Sequence, residues 1–401
     1  MIVEARTLAV SRTTSGPFPG ESPFVYGVAV WLALVQISIA AAEIVLAVIV
    51  FAWLVLLRRR ETAFVRLPLD RPFAIYAGAS LASALFSFAP PASLLASKKL
   101  LLLVVPYLLV SVVGRKETLE SLSLLIIAVA DVSALLGLWQ YTVSDLGDLD
   151  NRIRGFMGHY MTYSGLLMCA SVLAVAHLLF RRKHRWFLGS SLAVIGLALL
   201  FTLTRSAWVG TLAASILLLW MRNRRLLLAV PVLGIGAILV LPVDVEDRLD
   251  SFLRPDVSGW DRIYMLRAGA RMIGNHPLLG VGPDMVPDVY PIYMVEEAPL
   301  RENLHLHNNL AHISAERGLI CGLSWLWFFG LALLASIRGF RRAKPEDEIA
   351  RSLAAAALGV MVAAFSAGLF EYNFGDSEFQ MLLLFVMTIP FFLEREERAA
   401  R

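Results

Sequence analysis

Residues 305–318, HLHNNLAHISAERG, gather imidazoles, amides and a carboxylate where a polar loop gives way to an apolar run. A neutral imidazole accepts a proton from a hydroxyl near neutral pH, so His307 fits a general base, with Asn308 beside it and Glu316 deeper in the helix. The plainer reading makes His307 a helix-start residue that hydrogen-bonds backbone. The clustering of His305, His307 and His312 beside a polar loop argues for chemistry instead. No metal site is expected. His307 and His312 are five apart, not the three or four that share a helix face, and no HExxH or paired-carboxylate motif accompanies them.

Arginines supply the complementary charge. Arg205, in TRSAWVG at 204–210, stands between two apolar runs joined by almost no loop. A guanidinium stays charged and offers fixed donors to phosphate oxygens, which favours an anion clamp over a snorkelling turn residue. Arg262, Arg267 and Arg271 lie on DRIYMLRAGARMI at 261–273, whose apolar spacing predicts an interfacial amphipathic helix. Arg267 and Arg271 share a face, and Arg262 lies roughly 140° from Arg267 around the helix. Contact with lipid headgroups is the ordinary role for such residues. Arg262, beside Asp261, is singled out for substrate, with Arg267 a further contact. In DNRIRGFMGHYMTYSG at 150–165, Arg154 and His159 either line a donor site or belong to a turn. EYNFGDSE at 371–378 brings Glu371, Asp376 and Glu378 to the same side and reads as a solvated turn.

These residues are carried by a chain built for lipid. It has 401 residues, 58% hydrophobic and 17% charged, with a mean hydropathy of +0.68. Long continuous apolar runs recur throughout, which identifies an all-α polytopic membrane protein and excludes a β-barrel, whose strands alternate. About twelve spans of roughly 20 residues are expected. They fall near 24–40, 42–57, 72–89, 100–113, 119–140, 157–180, 187–203, 206–221, 226–242, 310–336, 352–370 and 379–393, the first two being one run split near Glu43. Most Lys and Arg fall in alternate loops: Arg58–Arg60, Arg115–Lys116, RRKHR at 181–185, RNRR at 222–225 and Arg341–Lys344. By the positive-inside rule both termini are cytoplasmic, and the loop at 243–306 faces outward, to the periplasm of a bacterial inner membrane. Three parts follow: spans one to nine over 1–242, the periplasmic loop with its interfacial helix over 243–306, and spans ten to twelve over 307–401. Six prolines break the loop into short elements, and NHPLLGVGP at 275–283 reads as a turn region. The first 23 residues lack the order of a cleavable signal and are expected to stay attached. Cys169 and Cys321 lie in or beside apolar runs without metal-ligand spacing. No nucleotide-binding signature is present, so no cofactor is expected and substrates come from the membrane or the periplasm.

Taken in order, TRSAWVG, DRIYMLRAGARMIGNHPLLGVGP, HLHNNLAHISAERG and GLFEYNFGDSE resemble the O-antigen ligase / O-antigen polymerase superfamily, most of all the lipopolysaccharide O-antigen ligases. The resemblance covers roughly 150–380 together with the twelve-span layout. One departure is Cys321, which stands where the family often has glycine. The resemblance implies a GT-C-like, metal-independent, inverting glycosyltransferase. Its donor is a polysaccharide on undecaprenyl pyrophosphate and its acceptor a sugar of lipid A–core. It implies His307 as the essential loop histidine and base, and Arg205 and Arg262 as holders of the pyrophosphate. Asn308, Arg154, His159, Arg267, His305 and Glu316 are the further candidate substrate contacts. An O-antigen polymerase is the second reading. A protein O-oligosaccharyltransferase ranks lower, because only eight residues follow the last span. A lipid-linked glycan transporter is the non-enzyme reading. Charge within the spans is sparse (Glu43, Asp131), whereas a transporter needs ionisable groups along its path.

Overall fold

The computed structural model describes residues 22–144, 151–228, 230–231 and 257–399. The N-terminal residues expected to stay attached, most of the span expected at 226–242 and the loop residues 243–256 lie outside the described residues. Every regular element among the described residues is helical.

The first apolar run yields α1 (Pro23–Leu34) and α2 (Ile39–Arg58). The break falls at 35–38 and not at Glu43, because extended Ser38 caps α2, its Oγ accepting from Ala41 N at 3.5 Å. Serine favours that position, whereas glutamate is a good helix former and stays inside α2. α3 (Asp70–Leu85) follows. The next helical stretch begins at Pro90, ten residues before the expected 100, as α4 (Pro90–Ala96), a 3-10 stretch (Ser97–Val104) and α5 (Val105–Val112). Proline at the first turn removes an N–H that had no helical partner. Then come α6 (Lys116–Val143), α7 (Tyr160–Phe180), α8 (Arg185–Phe201) and α9 (Arg205–Arg222). After the undescribed segment follow α10 (Val257–Asn275), α11 (Val286–Tyr293), α12 (Asn309–Arg342), α13 (Glu348–Gly368) and α14 (Ser377–Ala399).

Among the described residues, seven helices are long and apolar enough to cross a membrane: α2, Pro90–Val112, α6, α7, α12, α13 and α14. α1 and α8 are shorter apolar helices. The protein is an all-helical polytopic membrane protein. Its outer face is lipid-like: Ile44, Val48 and Phe51 of α2 are 64%, 63% and 70% exposed. α7, α13 and α14 form the centre, buried on nearly all sides. Small residues allow the close approach: Ala354–Ala357 of α13 are fully buried, and Gly210 of α9 sits against the Ala363 carbonyl.

Two sets of polar contacts show which helix ends lie together. At one end, Arg181 pairs with Glu120 at 2.6 Å and Glu348 at 3.3 Å, and Lys116 with Asp347 at 2.5 Å. This end carries the start of α6 and α13 and the end of α7. At the other, Thr162 Oγ1 donates to Asp376 at 2.9 Å and Asn309 Nδ2 to Asn373 at 2.8 Å, joining the starts of α7, α12 and α14.

α12 is broken at Gly318, whose φ of +81° and ψ of 167° are not helical. A β-carbon there would collide with the Leu278 carbonyl, and one at Gly280 with the Glu316 carbonyl. The freed backbone is paired by the segment at 277–282. Val281 N donates to Ala315 O at 2.9 Å, Gly282 N to Glu316 O at 2.8 Å, and Leu319 N to Pro277 O at 2.8 Å. A broken helix in a membrane protein needs such replacement partners. The turn region HPLLGVGP is therefore the backbone complement of SAERG. Cys321 follows the break and packs on α3, 3.5 Å from Ser80 Oγ. α10 and α11 share a small core with this region, through Met265, Ala268, Met272, Val281, Tyr290, Leu306 and Ala315.

Candidate active site

His307 precedes α12 and has a φ of +45°, a left-handed backbone that a residue with a β-carbon rarely takes. Contacts on both sides hold it there. Asn308 caps α12, its Oδ1 accepting from Ala311 N at 2.9 Å, while its Nδ2 donates to Leu369 O at 3.0 Å. Asn308, expected to contact substrate, thus places both ends of its amide on the fold. On the other side, Leu306 N donates to His312 Nδ1 at 3.2 Å. The remaining proton of neutral His312 is then on Nε2, which lies 3.1 Å from Glu316 Oε1. Glu316 Oε1 also accepts from Asp284 N at 2.8 Å, and the His312 ring stacks on Tyr372 at 3.6 Å. Both residues are buried. His312 and Glu316 brace the loop from beneath.

Glu371 meets His307. Its Oε2 lies 3.0 Å from His307 Nδ1, and its Oε1 accepts from Tyr372 N at 3.0 Å and lies 3.6 Å from His305 Nε2. By its sequence this carboxylate reads as part of a solvated turn; in the fold it is 6% exposed. The turn folds inward because Asn309, itself buried, holds Asn373 and also accepts from Phe374 N at 3.1 Å. Burial alone would push the Glu371 carboxyl up. The charge and hydrogen bond of His307, with the charges of His305 and Arg262, outweigh it and hold the group at about 2. In a neutral His307 ring, an ionised Glu371 at this distance favours the proton on Nδ1 and leaves Nε2 with its lone pair free, the form a general base needs. Burial, opposed by Glu371, draws His305 down to about 4. The only sequence signal for the pair was an acidic residue in the outer turn, 64 positions away.

The spacing argument against a metal, made for His307 and His312, does not reach residues that distant segments bring together. His305, His307 and Glu371 bring one donor atom each to within 4.8 Å of one another, from two distant segments. They are a set that could hold an ion.

Arg262 of α10 is half-buried, and its charge acts on Glu371 and on buried Asp261. His159 caps α7, accepting from Met161 N at 3.3 Å. Burial lowers its pKa, with Glu371 opposing and Arg152 and His307 adding, so it belongs to the same electrostatic group. Arg205 is the buried first residue of α9. The loop before α7 reaches that helix start through Arg152, which donates to Leu203 O at 3.5 Å and lies 4.3 Å over the Tyr160 ring. Arg154 is exposed, on a loop whose backbone is held by Gln140 at 3.0 Å. Arg267 is exposed and lies over the Tyr264 ring at 5.4 Å. Arg271 donates to the carbonyls of Tyr293 and Met294, tying α10 to the end of α11. The structure thus brings His307 and His305 onto Glu371, with the charge of Arg262 acting on the same carboxylate and Glu371 acting on His159 at the start of α7. Glu316 and Asn308 serve the scaffold, and Arg154 and Arg267 face outward. The contacts joining the starts of α7, α12 and α14, with Arg152 reaching the start of α9, put four helix N-termini around this end. Their partial positive charges suit an anion.

Residues 190–326 match the family model described as O-Antigen ligase. The match supports the resemblance to the O-antigen ligase and polymerase superfamily, whose members are glycosyltransferase-like enzymes acting on lipid-linked glycans. It takes in Arg205, Arg262, His305, His307 and Glu316, and ends before Glu371. None of the curated proteins matches the chain.

Proposed function

We propose that this protein is an O-antigen ligase of the bacterial inner membrane. It transfers a polysaccharide from undecaprenyl pyrophosphate to a sugar hydroxyl of lipid A–core at the periplasmic face. The observation that carries the reading is the pairing of half-buried His307 with buried Glu371, 3.0 Å apart, at the end of the bundle where helix N-termini and arginines collect. His307 Nε2 takes the proton of the acceptor hydroxyl as its oxygen attacks the anomeric carbon and the bond to the pyrophosphate breaks. Attack from the opposite face inverts the anomeric centre. Glu371 acts through His307, holding the productive tautomer and balancing the imidazolium that forms. Arg205, Arg262 and the helix N-termini stabilise the charge on the departing pyrophosphate. That leaving group needs little protonation, so one base suffices and no resident metal takes part. His305 and His159 border the acceptor side.

The test is the lipopolysaccharide of a deletion strain complemented with wild type or with His307→Ala. Core-only lipopolysaccharide with accumulated lipid-linked polymer, rescued by wild type and not by His307→Ala, is expected. Core bearing a single repeat in the deletion strain identifies a polymerase and refutes the ligase assignment.

A further inference from the structure

We propose that His305, His307 and Glu371 form a binding site for a single borderline transition cation of the Zn²⁺ class, and that its occupancy switches the enzyme off. The inference rests on the reading of His307 as the base. Two imidazoles and a carboxylate with an open position are a zinc-type donor set. Bonds of about 2.0–2.2 Å in a tetrahedral site place neighbouring donors roughly 3.3–3.6 Å apart. His307 Nδ1 lies 3.0 Å from Glu371 Oε2 and His305 Nε2 3.6 Å from the other carboxylate oxygen, Oε1; one donor atom from each residue already lies within 4.8 Å of the others, and side-chain shifts that draw them together admit an ion. The surroundings are built for it. Tyr372 N holds the carboxylate from behind, as outer-shell partners of metal ligands do. The His307 and His305 rings sit side by side, centroids 4.7 Å apart and tilted by 47°. The His305 side chain is 30% exposed against 8% for Glu371, which leaves an entry on the His305 side. Imidazole donors select Zn²⁺, Ni²⁺ and Cu²⁺ over Mg²⁺ and Ca²⁺, which need sets of oxygens.

The switch follows from the tautomer. A cation bonded to His307 Nδ1 replaces the hydrogen bond to Glu371. The proton on Nδ1 moves to Nε2, and no proton is lost overall. Nε2 then carries hydrogen and has no lone pair for an acceptor hydroxyl. The nearby charge of Arg262 opposes the cation and keeps the site reversible.

The experiment uses the full chain, purified in detergent, stripped with EDTA and desalted. Co²⁺ is titrated while visible absorption is followed, and transfer is measured with added Zn²⁺ or Mg²⁺. The expected result is a four-coordinate Co²⁺ spectrum saturating at one equivalent, displaced by Zn²⁺ and absent from His305→Ala and Glu371→Ala. Zn²⁺ but not Mg²⁺ then lowers transfer by about 10²-fold or more, the usual contribution of a general base, and EDTA restores it. No Zn²⁺ inhibition of an active, EDTA-stripped enzyme overturns the inference and leaves the base reading standing. So does a Co²⁺ spectrum that survives both substitutions. A stripped enzyme that is inactive until Zn²⁺ is added overturns the metal-free base reading as well. These wild-type measurements decide the matter even where a variant folds poorly.

Discussion

Replacing Glu371 by glutamine preserves shape and removes charge, and the structure dictates which way the new amide must lie. Tyr372 N donates to Oε1 at 3.0 Å, so the amide oxygen takes that position. The amide NH₂ then faces His307 Nδ1, where Oε2 stood at 3.0 Å. Two donors cannot share that contact, so Nδ1 becomes an acceptor and the proton moves to Nε2. The ring is then locked in the tautomer that cannot act as a base. Turning the amide over sets its NH₂ against the Tyr372 N–H and costs about 1–3 kcal/mol, leaving roughly 1–15% of molecules competent. Loss of the carboxylate also removes the counter-charge to the imidazolium. Together these lower kcat by about 10²–10⁴-fold, with the KM for donor nearly unchanged. Glu371→Ala leaves the ring free to choose its tautomer and is expected to retain more activity than the isosteric glutamine. The assay is reconstituted transfer with purified donor and acceptor, normalised to folded protein. Wild-type turnover in Glu371→Gln, or alanine and glutamine variants that fail only through lower thermal stability, would refute the tautomer argument.

Arg205→Ala is expected to abolish transfer, and Arg205→Lys to restore little, because lysine keeps the charge and loses the fork; wild-type ligation by an Arg205→Ala strain would reduce this residue to a turn arginine. Gly318→Ala forces a β-carbon into a left-handed position against the Leu278 carbonyl and breaks the pairing with 277–282. A loss of about 3–5 kcal/mol is expected, read as a lower Tm in detergent, and an unchanged Tm would show that the break is not needed. Burial raises the Asp376 carboxyl to about 7, against the hydrogen bond from Thr162 and with Glu371 and Glu378 adding. A folded pKa above the unfolded 3.8 means that its stabilising effect is full below about pH 4 and is lost as pH rises through about 7. Asp376→Asn should therefore flatten the fall in Tm over that window; an identical pH–Tm curve in wild type and variant contradicts the assignment. An impermeant thiol reagent applied from outside should label a cysteine at Ser258 and not at Ala343, and the reverse pattern would invert the proposed orientation and move the site to the other face.

Hydropathy and charge act locally, and whatever they control was legible in the chain. Continuous apolar runs required helices in lipid, and alternating Arg and Lys loops set an order of crossings that agrees with which helix ends the ion pairs of Arg181 and the contacts of Asn309 bring together. His307 stood out for the same reason, as an imidazole where an apolar run begins. The break at Ser38 was missed because a single cap outweighed the more conspicuous Glu43, and the early start at Pro90 because two prolines disguised a first turn. Three features depended on packing between distant segments. Glu371 reads as a solvated acid until Asn309 folds its turn inward; HPLLGVGP reads as a loose turn until the broken backbone at Gly318 needs hydrogen-bond partners; and His305, His307 and Glu371 have no ligand spacing until α12 and the turn before α14 meet. Periodicity reports which face of an element is buried, not which element it will meet. The choice of proton position on His307 lies in that meeting, decided by a carboxylate 64 residues away.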